Sequence, residues 1–290
     1  AVHYSMGGLW CGYERSSAGG LEVGSPRNHE TNIPGIYAIG ECDYHYHGAN
    51  RLGANSLIAC IFSGLVTGTG VANRLKSQDG PVAADRPSSL FDRACQARQA
   101  DFKALLARDG KGGNPYEIHQ ELGRVMTAAA TVVRHNPDLE AAIGKVEELR
   151  ERARRCSLSD TGQWTNQNVV FTRAMEDMFP LALTILHGAL ARDECRGAHF
   201  KPELAMPDID AKDPAERRRQ AEAWCDRFEE NNKRWLKSTI ARLDADGRPV
   251  LSYEDVDISL IPPRPRLYGV VGGELIEEVW KERSRGATHE

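Results

Sequence analysis

A chain of 290 residues with 37 Lys or Arg, 41 Asp or Glu and a formal net charge of -4 has length for about two domains and a sizeable buried core. Its 41% hydrophobic and 27% charged residues exclude a disordered tail and an integral membrane bundle, and the absence of a basic bias argues against a nucleic-acid partner. Seven cysteines, at positions 11, 42, 60, 95, 156, 195 and 225, form no CxxC pair. They read as reduced thiols of a cytoplasmic-type compartment, and their spacing predicts no metal centre.

The chain enters at Ala1 directly into AVHYSMGGLW, without initiator Met or apolar leader, and reads as a protein met in its middle. Up to about residue 76 it is Gly-rich and nearly free of Lys, and predicts short strands, turns and one helix. From Leu52 to Asn73 there is no charged residue, and Gly64 and Gly68 form a GxxxG. Asn55, Ser56, Ser63, Thr67 and Thr69 lower its apolarity below that of a membrane span, so the expectation is a buried helix of a soluble protein. A polar linker, KSQDGPVAADRPSS, follows.

Apolar residues then recur every three or four positions. Ile118, Leu122, Val125, Met126, Ala129, Val132 and Val133 form one stripe; Leu139, Ile143, Val146, Leu149 and Ala153 form another. Asn136 and Pro137 signal a helix start, and a further helix is expected from about Thr165 to Ala191, with Pro180 a candidate kink. Beyond Cys195, Asp213 and Pro214 open an arginine-rich helix. WLKSTIARL, RPVLSY and YGVVGGELIEEVW read as short strands.

Several segments could carry chemistry. In TNIPGIYAIGE a short apolar strand ends at Ile39, and Glu41 follows Gly40, placed to accept hydrogen bonds from ribose or ribityl hydroxyls or to face water. In HGANRLGANSL, Arg51 precedes the start of the uncharged helix, whose free N–H groups and dipole favour a negative charge near Ser56. An exposed Arg beside an ordinary Asn or Ser cap is the alternative. HYSMGG offers His3 beside a Gly pair. His45 and His47 could supply two metal ligands, with Asp43 the one nearby third. RGAHFKPE groups Arg196, His199 and Lys201, to touch an anion or face water. ERRR at 216–219 reads as a solvated helix face, and Trp164, Trp224, Trp235 and Trp280 as packing residues.

HYSMGG, IPGIYAIGE, HGANRLGANSL, RGAHFKPE and SLIPPRPRLYG, in this order, resemble the C-terminal part of the succinate dehydrogenase and fumarate reductase flavoproteins, over nearly the whole chain. The resemblance implies a mixed α+β fold: residues 1-76 as the C-terminal segment of a Rossmann-like FAD-binding domain, 77-194 as a helical bundle, and 195-290 as a small mixed C-terminal domain. It implies that His3 and Arg51 bind the carboxylates of succinate or fumarate. Glu41 would hold the ribityl or ribose region of FAD, and Asn55, Ser56 and Leu57 would present the helix start to the flavin.

The family's GxGxxG phosphate loop has no counterpart here, since GTGVAN at 68–73 lacks the third Gly. Its capping domain, proton-shuttling arginine and flavin-linking histidine are expected upstream, so this chain would hold no catalytic residue of its own and part of an active site. The partners implied are an iron–sulfur subunit and membrane anchor subunits, with peripheral location on the cytoplasmic side of a bacterial inner membrane. An L-aspartate oxidase-like flavoenzyme and a non-catalytic fragment acting in assembly are the other readings.

Overall fold

The computed structural model describes residues 4–78, 86–108, 111–162 and 164–286, with 285 and 286 as backbone alone. By contact the chain divides into two units. One comprises Ala1–His119, Glu151–Glu176 and Arg196–Ala198; the other comprises Gln120–Arg150, Asp177–Cys195 and His199–Glu290.

In the first unit, residues 4–54 form turns held by single bridges, Leu9 to Asp43 in parallel and Arg15 to Leu21 and Glu30 to Tyr37 antiparallel. The strand expected to end at Ile39 does not form. Tyr37 makes one bridge, Ile36 and Ile39 face outward, and a 3-10 turn, Gly40–Cys42, follows. The reason is local: the NIPG turn and Gly40, at φ +66°, bend the chain on both sides before a ladder can extend.

The uncharged segment is helix α1, Asn55–Lys76. Its Ala59, Ser63, Val66, Thr67 and Gly70 are buried, and the Ser63 and Thr67 hydroxyls point inward. Ser63 Oγ accepts the Gly40 N–H at 2.9 Å and donates to the Cys60 carbonyl at 3.0 Å, while Thr67 Oγ1 pairs with His29 Nδ1 at 2.9 Å. The opposite face is open: Leu57 is 73% and Leu65 70% exposed, with Ile58 and Ile61 beside them. Burial therefore holds for one face of α1 only. By length and composition α1 is apolar enough to cross a membrane, but its inward face is bonded through hydroxyls to a folded loop.

Helix α2, Ser88–Leu106, buries Leu105 alone. Also in this unit, Ile118, Ala153, Cys156, Val169 and Met175 are buried. Arg108 spans from Glu176, at 2.5 Å, to the Ala153 carbonyl, at 2.9 Å.

Helices α3, Pro115–Ala130, α4, Asn136–Ala153, and α5, Gln167–Ala191, contribute residues to both units. The first stripe stops short of the reading. Ile118, Leu122 and Ala129 are buried, but α3 ends at Ala130 and Val132 and Val133 are exposed, because the RHNPD turn needs the chain to leave the helix. In the second stripe Leu139, Val146, Leu149 and Ala153 are buried. α5 continues through Pro180, whose own carbonyl accepts the Thr184 hydroxyl at 2.8 Å.

In the second unit, α6, Pro214–Trp235, starts as expected, with Asp213 Oδ2 accepting the Glu216 N–H at 2.9 Å. Strands β1, Lys237–Leu243, and β2, Pro249–Asp255, pair antiparallel from Lys237 opposite Asp255 to Leu243 opposite Pro249. The third expected strand is a helix, α7, Gly273–Gly286. Leu275, Ile276, Val279 and Trp280 recur at 3.6-residue spacing on its inner face, a period the neighbouring β-branched run Val270–Val271 obscures. Against it, Ile209, Ala221, Trp224 and Cys225 complete a core. Trp224, Trp235 and Trp280 pack as expected, whereas Trp164 is 88% exposed.

Candidate functional site

Arg51, His47 and Glu41 of the first unit gather around Tyr4 and its neighbour Ser5. The Arg51 guanidinium lies over the Tyr4 ring at 5.5 Å, close enough for a cation–π contact, and also donates to the Leu52 carbonyl at 3.0 Å. The His47 ring meets Tyr4 edge-on at 5.0 Å. Glu41 accepts the Ser5 backbone N–H at 2.8 Å, which ties the exposed carboxylate to the segment carrying Tyr4. Burial first, then the nearby Cys60 and Glu41, push the Tyr4 phenol up, with Arg51 opposing. His3 lies outside the described residues, so its position relative to this group is not described.

The start of α1 supplies the other feature foreseen. Ala54 is in the left-handed region, φ 64°, and no side chain caps the helix. Neither Asn55 nor Ser56 acts as the ordinary cap. The first N–H groups thus leave the positive end of the dipole without a side-chain acceptor. Leu57 is exposed and Asn55 and Ser56 half-buried beside it.

Two buried polar atoms in this group have no hydrogen-bond partner among the described residues: Tyr4 Oη and His47 Nε2. Such atoms cost free energy unless something satisfies them. Together with the guanidinium, the tethered carboxylate, the uncapped helix and the open apolar face of α1, they fit a ligand that is part anionic and part planar and apolar. Tyr4 and His47 were not singled out for this role in the sequence. The signal available was their place inside HYSMGG and HGANR.

Beneath these residues runs a second network. Asp43, whose side chain is fully buried, accepts the His45 backbone N–H at 2.7 Å and faces His45 Nδ1 at 3.1 Å through Oδ1. Tyr13 Oη donates to its Oδ2 at 3.3 Å, and His29 Nε2 stands 3.5 Å away. Burial works against the Asp43 carboxylate, but the His45 bonds more than offset it and hold it below the usual range. Burial lowers His29 and raises Cys11 and Tyr13. His45 and His47, the candidate ligand pair, turn apart: His47 turns to Tyr4, and His45 turns to Asp43 and Cys11.

RGAHFKPE is divided between the units. Gly197 and Ala198 lie against the HGANR loop: Ala198 N–H donates to the Ala49 carbonyl at 2.9 Å. In the second unit His199 and Lys201 turn to partners within the protein. Lys201, 1% exposed, donates to the Leu190 carbonyl at 3.1 Å and to Asp193 at 3.0 Å. His199 pairs with Arg134 at 2.6 Å and with the Arg192 carbonyl at 2.8 Å. Of the ERRR run, Arg218 pairs with Glu222 at 3.1 Å and with Glu282 of α7.

Residues 119–268 match the family model described as fumarate reductase flavoprotein C-term, and residues 1–57 match that described as FAD binding domain. The chain is 40% identical over 269 residues to the succinate dehydrogenase flavoprotein subunit of Bacillus subtilis strain 168, covering 92% of this chain and 39% of the relative. Against the fumarate reductase flavoprotein subunit of Escherichia coli K12 the identity is 31%, with 92% and 38% covered. Among solved structures, an E. coli quinol fumarate reductase flavoprotein variant superposes with a TM-score of 0.65 at 31% identity, covering 84% of this chain and 37% of that one. The chain thus spans about two fifths of the length of the curated relatives it matches.

Proposed function

Because the chain belongs to the succinate dehydrogenase and fumarate reductase flavoprotein family, we propose that residues around Tyr4, Glu41, His47, Arg51 and the start of α1 form one side of a site where FAD meets a four-carbon dicarboxylate. The carrying observation is the convergence on Tyr4 of a guanidinium, a tethered carboxylate and two unpartnered buried polar atoms. FAD is the cofactor the match over residues 1–57 indicates, and when bound it supplies a two-electron acceptor for hydride.

This chain's residues do the holding and orienting. Arg51 offers a planar fork that takes one carboxylate through two parallel hydrogen bonds, and the Tyr4 ring against it restricts its rotamers before substrate arrives. His3, preceding Tyr4, takes the second carboxylate in this reading. Glu41, held by the Ser5 N–H, accepts from a ribityl or ribose hydroxyl. Asn55, Ser56 and Leu57 bring the uncapped helix start against the ring system, where its partial positive charge favours added electron density. Fixing the substrate in this way contributes to rate by orientation, with the chemistry left to groups outside these residues.

The remaining parts of the proposal follow the family. Residues 1-76 complete a Rossmann-like FAD-binding domain, 77-194 form a helical domain and 195-290 a C-terminal domain. The phosphate loop, capping region and proton-transferring arginine come from the further length its relatives have. The whole protein oxidises succinate and passes electrons to an iron–sulfur subunit and quinone. Membrane anchor subunits hold the complex peripherally on the cytoplasmic side of a bacterial inner membrane. The 290 residues alone are expected to retain no flavin and no activity.

The match over 119–268 favours this reading over an L-aspartate oxidase. Anaerobic addition of succinate or L-aspartate to a full-length flavoprotein carrying this chain tests it: bleaching of the flavin by succinate alone is expected, and bleaching by L-aspartate in preference overturns it.

A further inference from the structure

Three ligand-type side chains from two separate segments meet beneath the surface of the first unit. Cys11 Sγ lies 3.6 Å from His45 Nδ1, which lies 3.1 Å from Asp43 Oδ1, and the three donor atoms all fall within 4.8 Å of one another. A tetrahedral zinc ion with one sulfur, one nitrogen and one oxygen ligand holds its donors roughly 3.3–3.6 Å apart, so the sulfur–nitrogen pair needs no movement and the nitrogen–oxygen pair a small one.

The fold fixes all three. The parallel bridge from Leu9 to Asp43, with Leu9 N–H donating to the Cys42 carbonyl at 2.7 Å, aligns residues 9–11 beside 42–45. Cys11 is 1% exposed and Asp43 has a fully buried side chain, whereas the His45 side chain keeps 26% of its surface.

The charge balance is the stronger argument. Buried carboxylates are stable when paired with cations, yet the groups facing Asp43 among the described residues are two histidines, a tyrosine and a thiol, with no Lys or Arg. A dication would meet one carboxylate, one thiolate and one neutral imidazole and leave the set neutral, with the Cys11 proton released to solvent. The outer partners are also in place: Tyr13 Oη on Asp43 Oδ2 and His29 beside it orient the carboxylate, as second-shell groups do.

We propose that Cys11, Asp43 and His45 form a binding site for a zinc-class divalent cation, with a mixed sulfur, nitrogen and oxygen donor set that selects against magnesium and calcium. The site is independent of the flavin reading, because it uses other side chains and needs no dicarboxylate.

The 290-residue chain, stripped with chelator, is titrated with zinc against a coloured competing chelator and separately with cobalt. The expected result is one equivalent bound, a rise in thermal midpoint with zinc, and an intense near-ultraviolet sulfur-to-cobalt band. Cys11→Ala and His45→Gln should each weaken binding by more than the roughly 10–100-fold cost of losing an outer partner, which Tyr13→Phe measures. Cys42→Ala, which alters an exposed thiol, should leave binding and the cobalt band unchanged. Circular dichroism of each variant separates loss of a ligand from loss of fold. Absence of a bound equivalent in the folded wild type overturns the site, as does a cobalt band that survives Cys11→Ala.

Discussion

The backbone N–H of Ala198 donates to the carbonyl of Ala49 at 2.9 Å, joining a turn late in the chain to the loop that carries Arg51. Gly197 permits it. Its φ is +60°, and a Cβ there would stand 2.2 Å from the Ala49 carbonyl oxygen.

Gly197→Ala should therefore lower the thermal midpoint by several degrees, for a cost of at least about 2 kcal/mol from backbone strain and displacement of the Ala49 loop. Gly188→Ala is the control. It lies inside α5 with nothing within 4 Å of an added Cβ, and should stabilise by about 0.5–1 kcal/mol. Thermal unfolding of both variants checks the pair, and equal effects would contradict the clamp.

The pairing of Lys201 with Asp193 predicts an asymmetry. Burial works against Asp193, but the bonds from Lys201 and Asn136 more than offset it and hold it below the usual range. Asp193→Ala leaves the buried ammonium with the Leu190 carbonyl in place of its carboxylate partner and should cost about 1–3 kcal/mol. Lys201→Met removes the charge while keeping the stem volume and should cost clearly less. Urea unfolding midpoints measure both, and a larger loss in Lys201→Met would contradict the assignment.

His199 makes stability pH-dependent. Burial pushes it down to about 4, against an ordinary value of 6.5, so between these values the unfolded chain binds the extra proton. Its contribution is complete above about pH 6.5 and is lost as pH falls toward 4, by roughly 3 kcal/mol at most. Asp43 and Asp193, whose folded values are depressed, add a further loss below about pH 4. Unfolding of wild type and His199→Phe at pH 7 and pH 5 is the check: the variant should lose less on acidification.

What could be read from the chain was local and periodic. Asp213, three residues before Glu216, announced the start of α6, and Leu139, Val146, Leu149 and Ala153 announced the inner face of α4, because both rest on spacing within one element. The misread places depend on distant partners. Ile39 lies between two bends and joins no bridge among the described residues, and α7 was hidden by the β-branched residues before it. α1 looked buried because its residues carry no charge, yet only the face meeting Gly40 and His29 is covered. Arg51 and Glu41 were legible from motifs, and Asp43 and His45 from their close spacing, while the part of Tyr4 and the joining of Cys11 to Asp43 and His45 emerged only when the fold brought them together.

The most direct measurement is anaerobic succinate reduction of the flavin in a full-length flavoprotein carrying this chain, comparing wild type with Arg51→Lys. If Arg51 is the carboxylate fork, the variant keeps its bound FAD but bleaches roughly 10²–10³-fold more slowly, because a single ammonium cannot reproduce two parallel donors. Bleaching at the wild-type rate in the flavin-loaded variant would contradict the assignment.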